Sequence, residues 1–203
     1  MKIEIKKLRE KDYEQAIKWA ISGMHFNTYI DEGPLLNMYG KYFWYSELLN
    51  ATQVISAYYD DQCVGVLLAR MSNEKKVYHS FRKSIYVKAF DILQKLFAKG
   101  SVDIYDITNK KMLDEYKKKV KVDGEIVFLA ATQDMKIKGV GTKLLEELGK
   151  REKGKEIYLY TDDFCTYQFY DHRGFKRVGE ENIKIKIENK EVNMTCMLYG
   201  KKL

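Results

Sequence analysis

Between Glu125 and Leu145 the chain reads Glu-Ile-Val-Phe-Leu-Ala-Ala-Thr-Gln-Asp-Met-Lys-Ile-Lys-Gly-Val-Gly-Thr-Lys-Leu-Leu. The near-continuous apolar run from 124 to 131 predicts a strand buried on both faces. The stripe Val140, Leu144, Leu145 and Leu148 predicts a helix opening at Gly139. A helix start offers unpaired N–H groups and the positive end of the helix dipole, which together suit an anion. Gly139 and Gly141 let that anion approach the backbone, and Lys136 and Lys138 add positive charge beside it. The chemistry implied is a diphosphate cradle. It is neither a Walker loop nor a full G-x-G-x-x-G turn, and two glycines alone are a weak signal. A helix that merely begins on glycine is the commoner meaning; the strand-loop-helix context gives this one weight.

The elements that must position the cradle follow from periodicity. Residues 2–7 alternate and predict a strand. Asp12, with Gln15 three residues on, predicts a capped helix through Ala16, Ile17, Ala20, Ile21 and Met24. Gly33-Pro34 punctuates, and the aromatic run from Tyr39 to Leu49 predicts a second helix. Val54–Tyr59 and Cys63–Arg70, joined by Asp60-Asp61-Gln62, predict a hairpin. A basic segment follows with Tyr86, Phe90, Leu93 and Phe97 on one helical face and Ala98-Lys99-Gly100 as its stop. Asn109 to Asp123 predicts a short helix and loop. After the cradle come a strand at Ile157–Thr161, a short helix through Tyr170, and two alternating strands from Ile183 to Leu203. The order is β-α-α-β-β, an insertion over 73–122, then β-α-β-α-β-β: a mixed α/β (α+β) single domain over 1–203.

On these residues the sequence resembles the GNAT superfamily of acetyl-CoA-dependent N-acetyltransferases. Lys136-Ile137-Lys138-Gly139-Val140-Gly141 is similar to the family's [Q/R]-x-x-G-x-[G/A] signature, and Tyr167-Gln168-Phe169-Tyr170-Asp171-His172-Arg173-Gly174-Phe175 to its aromatic-Tyr segment ending in Gly-Phe. Lys136 stands where Gln or Arg is usual, keeping charge but not Arg's forked donors. Asp163 stands where Asn is common, and Gln133 where Pro is frequent. The resemblance covers the chain outside 73–122. It implies a central, mostly antiparallel sheet flanked by helices, with the insertion lying before the cofactor-binding strand.

The resemblance also implies roles. Acetyl-CoA would be the cosubstrate, with no metal. The backbone of Leu129 and Ala131 would pair with the pantetheine arm, and an N–H near Leu129 or Ala130 would polarise the thioester carbonyl. Lys136, Ile137, Lys138, Gly139, Val140, Gly141 and Thr142 would hold the diphosphate, and Asp163, Tyr167 and Phe169 would flank the arm. Acyl transfer to an amine needs a neutral nucleophile, donors for the oxyanion and a proton for the departing thiolate. Glu125 is the candidate general base, against the plainer reading that it edges a strand. Tyr170 is the candidate general acid, against a core tyrosine.

The chain has 203 residues, 45% hydrophobic and 13% aromatic, with one proline and three cysteines. That composition excludes disorder, collagen-like repeats and a disulfide framework, and fits a reducing, cytoplasmic setting. His25, His79 and His172 lack metal-ligand spacing. Cys165 is expected to be a small buried thiol rather than a nucleophile. The sequons at Asn50 and Asn193 are so in form only. The net charge of +7 is concentrated in 73–100, where seven Lys/Arg face two acids; an ordinary solvated face is expected there, with no nucleic acid and no membrane as partner. The rival readings are a non-catalytic CoA-binding regulatory domain and a basic nucleic-acid or membrane-surface module. The amine acceptor is unidentified; Phe26, Tyr29, Tyr39, Tyr42, Phe43 and Trp44 either wall its pocket or belong to the core. A homodimer is a family-level expectation only.

Overall fold

A computed structural model describes residues 2–28, 30, 32–97, 104–133, 136–187 and 190–203. The strands are β1 (Glu4–Lys6), β2 (Gln53–Tyr59), β3 (Gln62–Met71), β4 (Gly124–Ala131), β5 (Glu156–Asp162), β6 (Lys176–Ile187) and β7 (Lys190–Lys202). They form one sheet in the order β1-β2-β3-β4-β5-β7-β6. Every neighbouring pair is antiparallel except β4 and β5, which run parallel. The helices are α1 (Tyr13–Gly23), α2 (Pro34–Asn50), α3 (Phe81–Phe97), α4 (Ile104–Lys117), α5 (Val140–Arg151) and the short α6 (Gln168–Asp171). This is the mixed α/β architecture that the periodicities predict, mostly antiparallel as the resemblance implies, and the described residues of 73–122 carry two helices, α3 and α4.

Local chemistry explains where the elements begin and end. Asp60 and Asp61 take left-handed φ values of 47° and 59°, the requirement of a two-residue hairpin turn whose twist matches the strands. Pro34 sits in the first turn of α2, where its missing N–H removes no helical bond, so the helix starts ahead of the aromatic run. Asp12 does not cap α1 with its side chain. Its carboxylate instead accepts hydrogen bonds from the Tyr58 hydroxyl at 2.7 Å and Arg9 Nε at 2.9 Å, tying the helix start to β2. The helix expected near Asn109 is longer than predicted, since its inward face includes the polar Thr108 and Asn109, which dilute the apolar period.

Three apolar clusters hold the sheet between helices. On one face α5 lies across β2, β3, β4 and β5, its Leu144 and Leu148 fully buried with Ile55, Leu67 and Ile157. The other face is covered in two parts. There α1 and α2 bury Trp44 and Leu48 against Val66, Leu68 and Phe128, while α4 buries Met112, Leu113 and Tyr116 against Ile183, Met194 and Leu198. A cleft therefore runs along β4 and β5 between α2 and α4. Two glycines set close approaches: a Cβ on Gly65 would lie 2.5 Å from Val140 Cγ1, and one on Gly40 2.5 Å from Ile21 Cγ1. The first brings the start of α5 directly onto β3.

The aromatic run of α2 belongs to this packing. Trp44 and Phe26 are buried, Tyr39 and Phe43 meet Phe26 edge to face, and Tyr42 stacks on Phe90 of α3 with ring centroids 4.6 Å apart. Tyr29 lies outside the described residues. Of the stripe predicted on α3, Phe90 is buried while Leu93 is exposed. The predicted stop at 98–100 also lies outside the described residues. No helix among the described residues is long and apolar enough to cross a membrane.

Candidate functional site

β4 and β5 pair only through Gly124–Ile157 and Glu125–Tyr158. Beyond that point β4 stays paired with β3 as far as Ala131, so a gap opens on its other edge. Which backbone groups line it follows from one hydrogen bond. The Thr132 N–H donates to the Val64 carbonyl at 2.7 Å, and strand groups alternate sides with period two. Ala130 therefore also faces β3, whereas the N–H and C=O of Leu129 and Ala131 face the gap. Their side chains pack against the α5 cluster, which fixes that edge. A bulge between Leu68 and Ala69 leaves Val127 without a partner on β3, and both Val127 and Phe128 pack on the α1/α2 side; bulges of this kind re-aim a strand.

The gap leads to the start of α5. Gly139 takes φ +81°, and a Cβ there would meet nothing within 4 Å. Its left-handed backbone needs glycine, and the space above it is open. Ile137 is half-buried against the α5 cluster while Lys136 and Lys138 are exposed, so the loop is anchored by its middle residue with lysines on either side. Val140 is buried. A cavity of about 500 Å³ lies against this turn, lined by Lys2, Tyr59, Lys136, Lys138, Thr142 and Lys143 among others, with Glu146 the acidic residue on its wall.

The aromatic motif comes to the same place. A Cβ on Gly141 would sit 2.9 Å from Phe169 Cζ, and Arg173 Nε donates to Thr142 Oγ1 at 2.8 Å while its guanidinium lies over the Phe169 ring. Phe169 is in edge contact with Tyr170, which packs in turn on Phe175 and Tyr199. The two motifs, nearly thirty residues apart in sequence, form one wall.

No family model and no curated protein sequence matches the chain. Solved structures do. The Drosophila melanogaster polyamine N-acetyltransferase that forms N-acetylagmatine aligns over 100% of both chains with a TM-score of 0.63 at 11% identity. A Corynebacterium glutamicum protein described as histone acetyltransferase HPA2 and related acetyltransferase gives 0.57 at 15% identity, covering 98% of this chain and 96% of that one. The PaiA N-acetyltransferase of Thermoplasma acidophilum, solved with coenzyme A, gives 0.52 at 16% identity over 100% of both chains. The fold is that of the GNAT acetyltransferases.

Within this GNAT fold, the residues read from the sequence fall into two groups. Leu129, Ala131, Lys136 to Thr142, Phe169 and Tyr170 line or adjoin the gap and the cradle. Tyr167 is half-buried, with the Arg177 guanidinium over its ring, and packs against the α5 cluster. The Asp163 carboxylate accepts the Thr195 N–H at 2.9 Å, which ties it to β7. Ala130 presents its N–H to β3 rather than to the gap.

Glu125 lies on the opposite face of β4 from Ile126, in the cleft between α2 and α4. The Tyr158 hydroxyl donates to its Oε2 at 3.2 Å, and Arg70 Nη2 stands 3.5 Å from the same oxygen. Burial pushes its carboxyl above the usual carboxylate range, and Arg70 works against that rise. Tyr158 and Tyr160 are pushed up as well, by burial and then by Glu125. Tyr170 is raised by burial, and its hydroxyl has no hydrogen-bond partner among the described residues. Burial, aided by Asp162, raises the Cys165 thiol to about 11, so it stays protonated and is a poor nucleophile.

Sequence reasoning missed Glu47, Arg70, Gly65 and Arg173. Arg173 was within reach, because it lies inside the aromatic motif and its charge next to an anion cradle is a signal. Glu47 on α2 has an Oε2 that is fully buried, has no hydrogen-bond partner among the described residues, and faces Arg70 Nη2 at 3.4 Å. Nothing local marks it.

Proposed function

We propose that this protein is an N-acetyltransferase that moves an acetyl group from acetyl-CoA to an amine. The observation that carries this reading is the contact of Gly141 with Phe169 beside an unobstructed Gly139. It joins an anion cradle and the Tyr170 hydroxyl across one gap in the sheet. The N–H groups of Gly139 to Thr142 would bind the diphosphate, with Lys136 and Lys138 adding charge. The free edge of Leu129 and Ala131 would extend the sheet along the pantetheine arm. The thioester supplies the acetyl group.

Glu125 is the base in this scheme. Burial brings a carboxylate closer to the working pH, which favours proton acceptance from an ammonium through water. Glu125 passes the ammonium proton on to solvent; as the new N–C bond forms and the C–S bond breaks, the second amine proton leaves by the same route, and the thiolate, hydrogen-bonded by Tyr170, takes up a proton from solvent to become the free thiol. An alkyl thiol has a pKa of about 8.5, and Tyr170 is raised above the ordinary tyrosine value. Complete transfer from the phenol is therefore uphill, and its contribution is a hydrogen bond to the developing thiolate. Purified protein with acetyl-CoA and an amine panel is expected to release free thiol. Failure to bind CoA by calorimetry would refute the proposal. CoA binding without turnover, unchanged by Tyr170→Phe, would favour a regulatory CoA-binding domain instead.

A further inference from the structure

The cleft over β4 and β5 has two electrically different ends. At the Glu125–Tyr158 end a cavity of about 320 Å³ is lined by Arg70, Ser72, Lys117, Glu125 and Tyr158. Arg70 touches carboxylates only through Nη2, at 3.4 Å to Glu47 and 3.5 Å to Glu125, long for charge-assisted hydrogen bonds. Its side chain is 43% exposed, and Nε and Nη1 donate to nothing among the described residues. Lys117 acts on Glu125 electrostatically without an ion pair of its own among the described residues. That end pairs basic with acidic groups; two residues further along β5, roughly 7 Å on, the neighbouring charges are acidic. Tyr160 lies in the field of Glu125, Asp114 and Asp106. Beyond it, Tyr105 of α4 approaches Asp162 and Cys165, and Cys165 neighbours Tyr170, where the thioester would end. Glu47 is the remaining charge, buried behind Arg70, and burial holds its carboxyl above the usual range.

We propose that the acceptor is an amine bearing a carboxylate, the amine held toward Tyr160 and the thioester, the carboxylate taken by the free donors of Arg70 with Lys117 and Ser72. The inference rests on the acetyl-transfer reading. A polyamine would place a second cation against Arg70 and Lys117, which like-charge repulsion opposes. An amino acid presents opposite charges in the order the cleft requires, and a guanidinium fork matches a carboxylate bidentately.

The test is thiol release with matched pairs differing only in the carboxylate: ornithine and putrescine, arginine and agmatine, tyrosine and tyramine, and glutamine and 4-aminobutyramide. At least one carboxylate-bearing amine is expected to outperform its counterpart without the carboxylate in kcat/KM. Arg70→Gln is expected to raise KM for that acceptor by roughly 10- to 100-fold, the worth of a lost hydrogen bond to a charged group. It should leave calorimetric CoA binding unchanged, and Arg70→Lys should restore part of the loss. Amines preferred over amino acids throughout, or a preference that survives Arg70→Gln, would overturn the inference while leaving acetyl transfer standing. Absence of CoA binding in the unmutated protein would overturn both.

Discussion

Replacing Gly139 with alanine separates the cradle's binding role from its folding role. The backbone there is left-handed at φ +81°, which costs a non-glycine residue roughly 1–2 kcal/mol. No steric penalty adds to this, because the new Cβ would meet nothing within 4 Å. For a chain of this size that cost lowers Tm by roughly 2–8 °C. The methyl would, however, occupy the space from which a diphosphate must approach the amides of α5. Losing one charge-assisted hydrogen bond there weakens CoA binding by about 10- to 100-fold. Gly154 supplies the control. It has φ +84° and equally open surroundings, but it lies past the other end of α5, where its N–H donates to Leu203. Gly154→Ala is expected to cost the same few degrees and leave CoA affinity untouched. Thermal melts and calorimetry on the two variants decide the matter. Gly139→Ala binding CoA within twofold of the unmutated protein, or both variants losing affinity equally, would refute the reasoning.

Tyr170→Phe keeps the ring contacts with Phe169, Phe175 and Tyr199 and removes a hydroxyl that has no partner among the described residues; Tm should stay within a few degrees while kcat falls by about 10- to 100-fold, the worth of a hydrogen bond to a developing thiolate. Because burial raises Glu125 above its ordinary 4.5 and only the ionised form accepts a proton, kcat/KM should fall on an acid limb centred above pH 4.5. Glu125→Gln should abolish that limb, and Arg70→Gln, which removes the opposing charge, should move it to higher pH. Glu47 is likewise raised by burial. A carboxyl with a raised folded value favours the native state at low pH and loses that advantage as pH climbs from 4.5 through its folded value. The Tm of the unmutated protein relative to Glu47→Gln should therefore drop as pH rises above 4.5, and a difference that is flat or opposite in sign would contradict that burial argument.

Much of the molecule was determined by the sequence alone, because its signals are local. The hairpin at Asp60-Asp61, the buried run of β4, the glycine opening of α5 and the alternation of the last two strands each follow from residues a few positions apart. The proposed cradle is local in the same way, because its residues belong to one helix start. The pairing of the cradle with Tyr170 was expected from resemblance, but its physical cause, Phe169 lying on the face that Gly141 leaves bare, is a tertiary contact. Polar residues on the inward face of α4 concealed its extent, and Asp12 was misread as a cap because its tertiary partner, Tyr58, outcompetes the local role.

Only the folded chain decided where the sheet parts and what meets beneath it. Glu47, Arg70, Glu125 and Tyr158 come from one helix and three strands, brought together by the registers of β3 with β4 and of β4 with β5. Side chains alternate faces along a strand, so a slip of one residue would turn Arg70 or Glu125 to the α5 side and dissolve the cluster. Such a register is a property of whole strands packed against whole helices, and no short stretch of sequence encodes it.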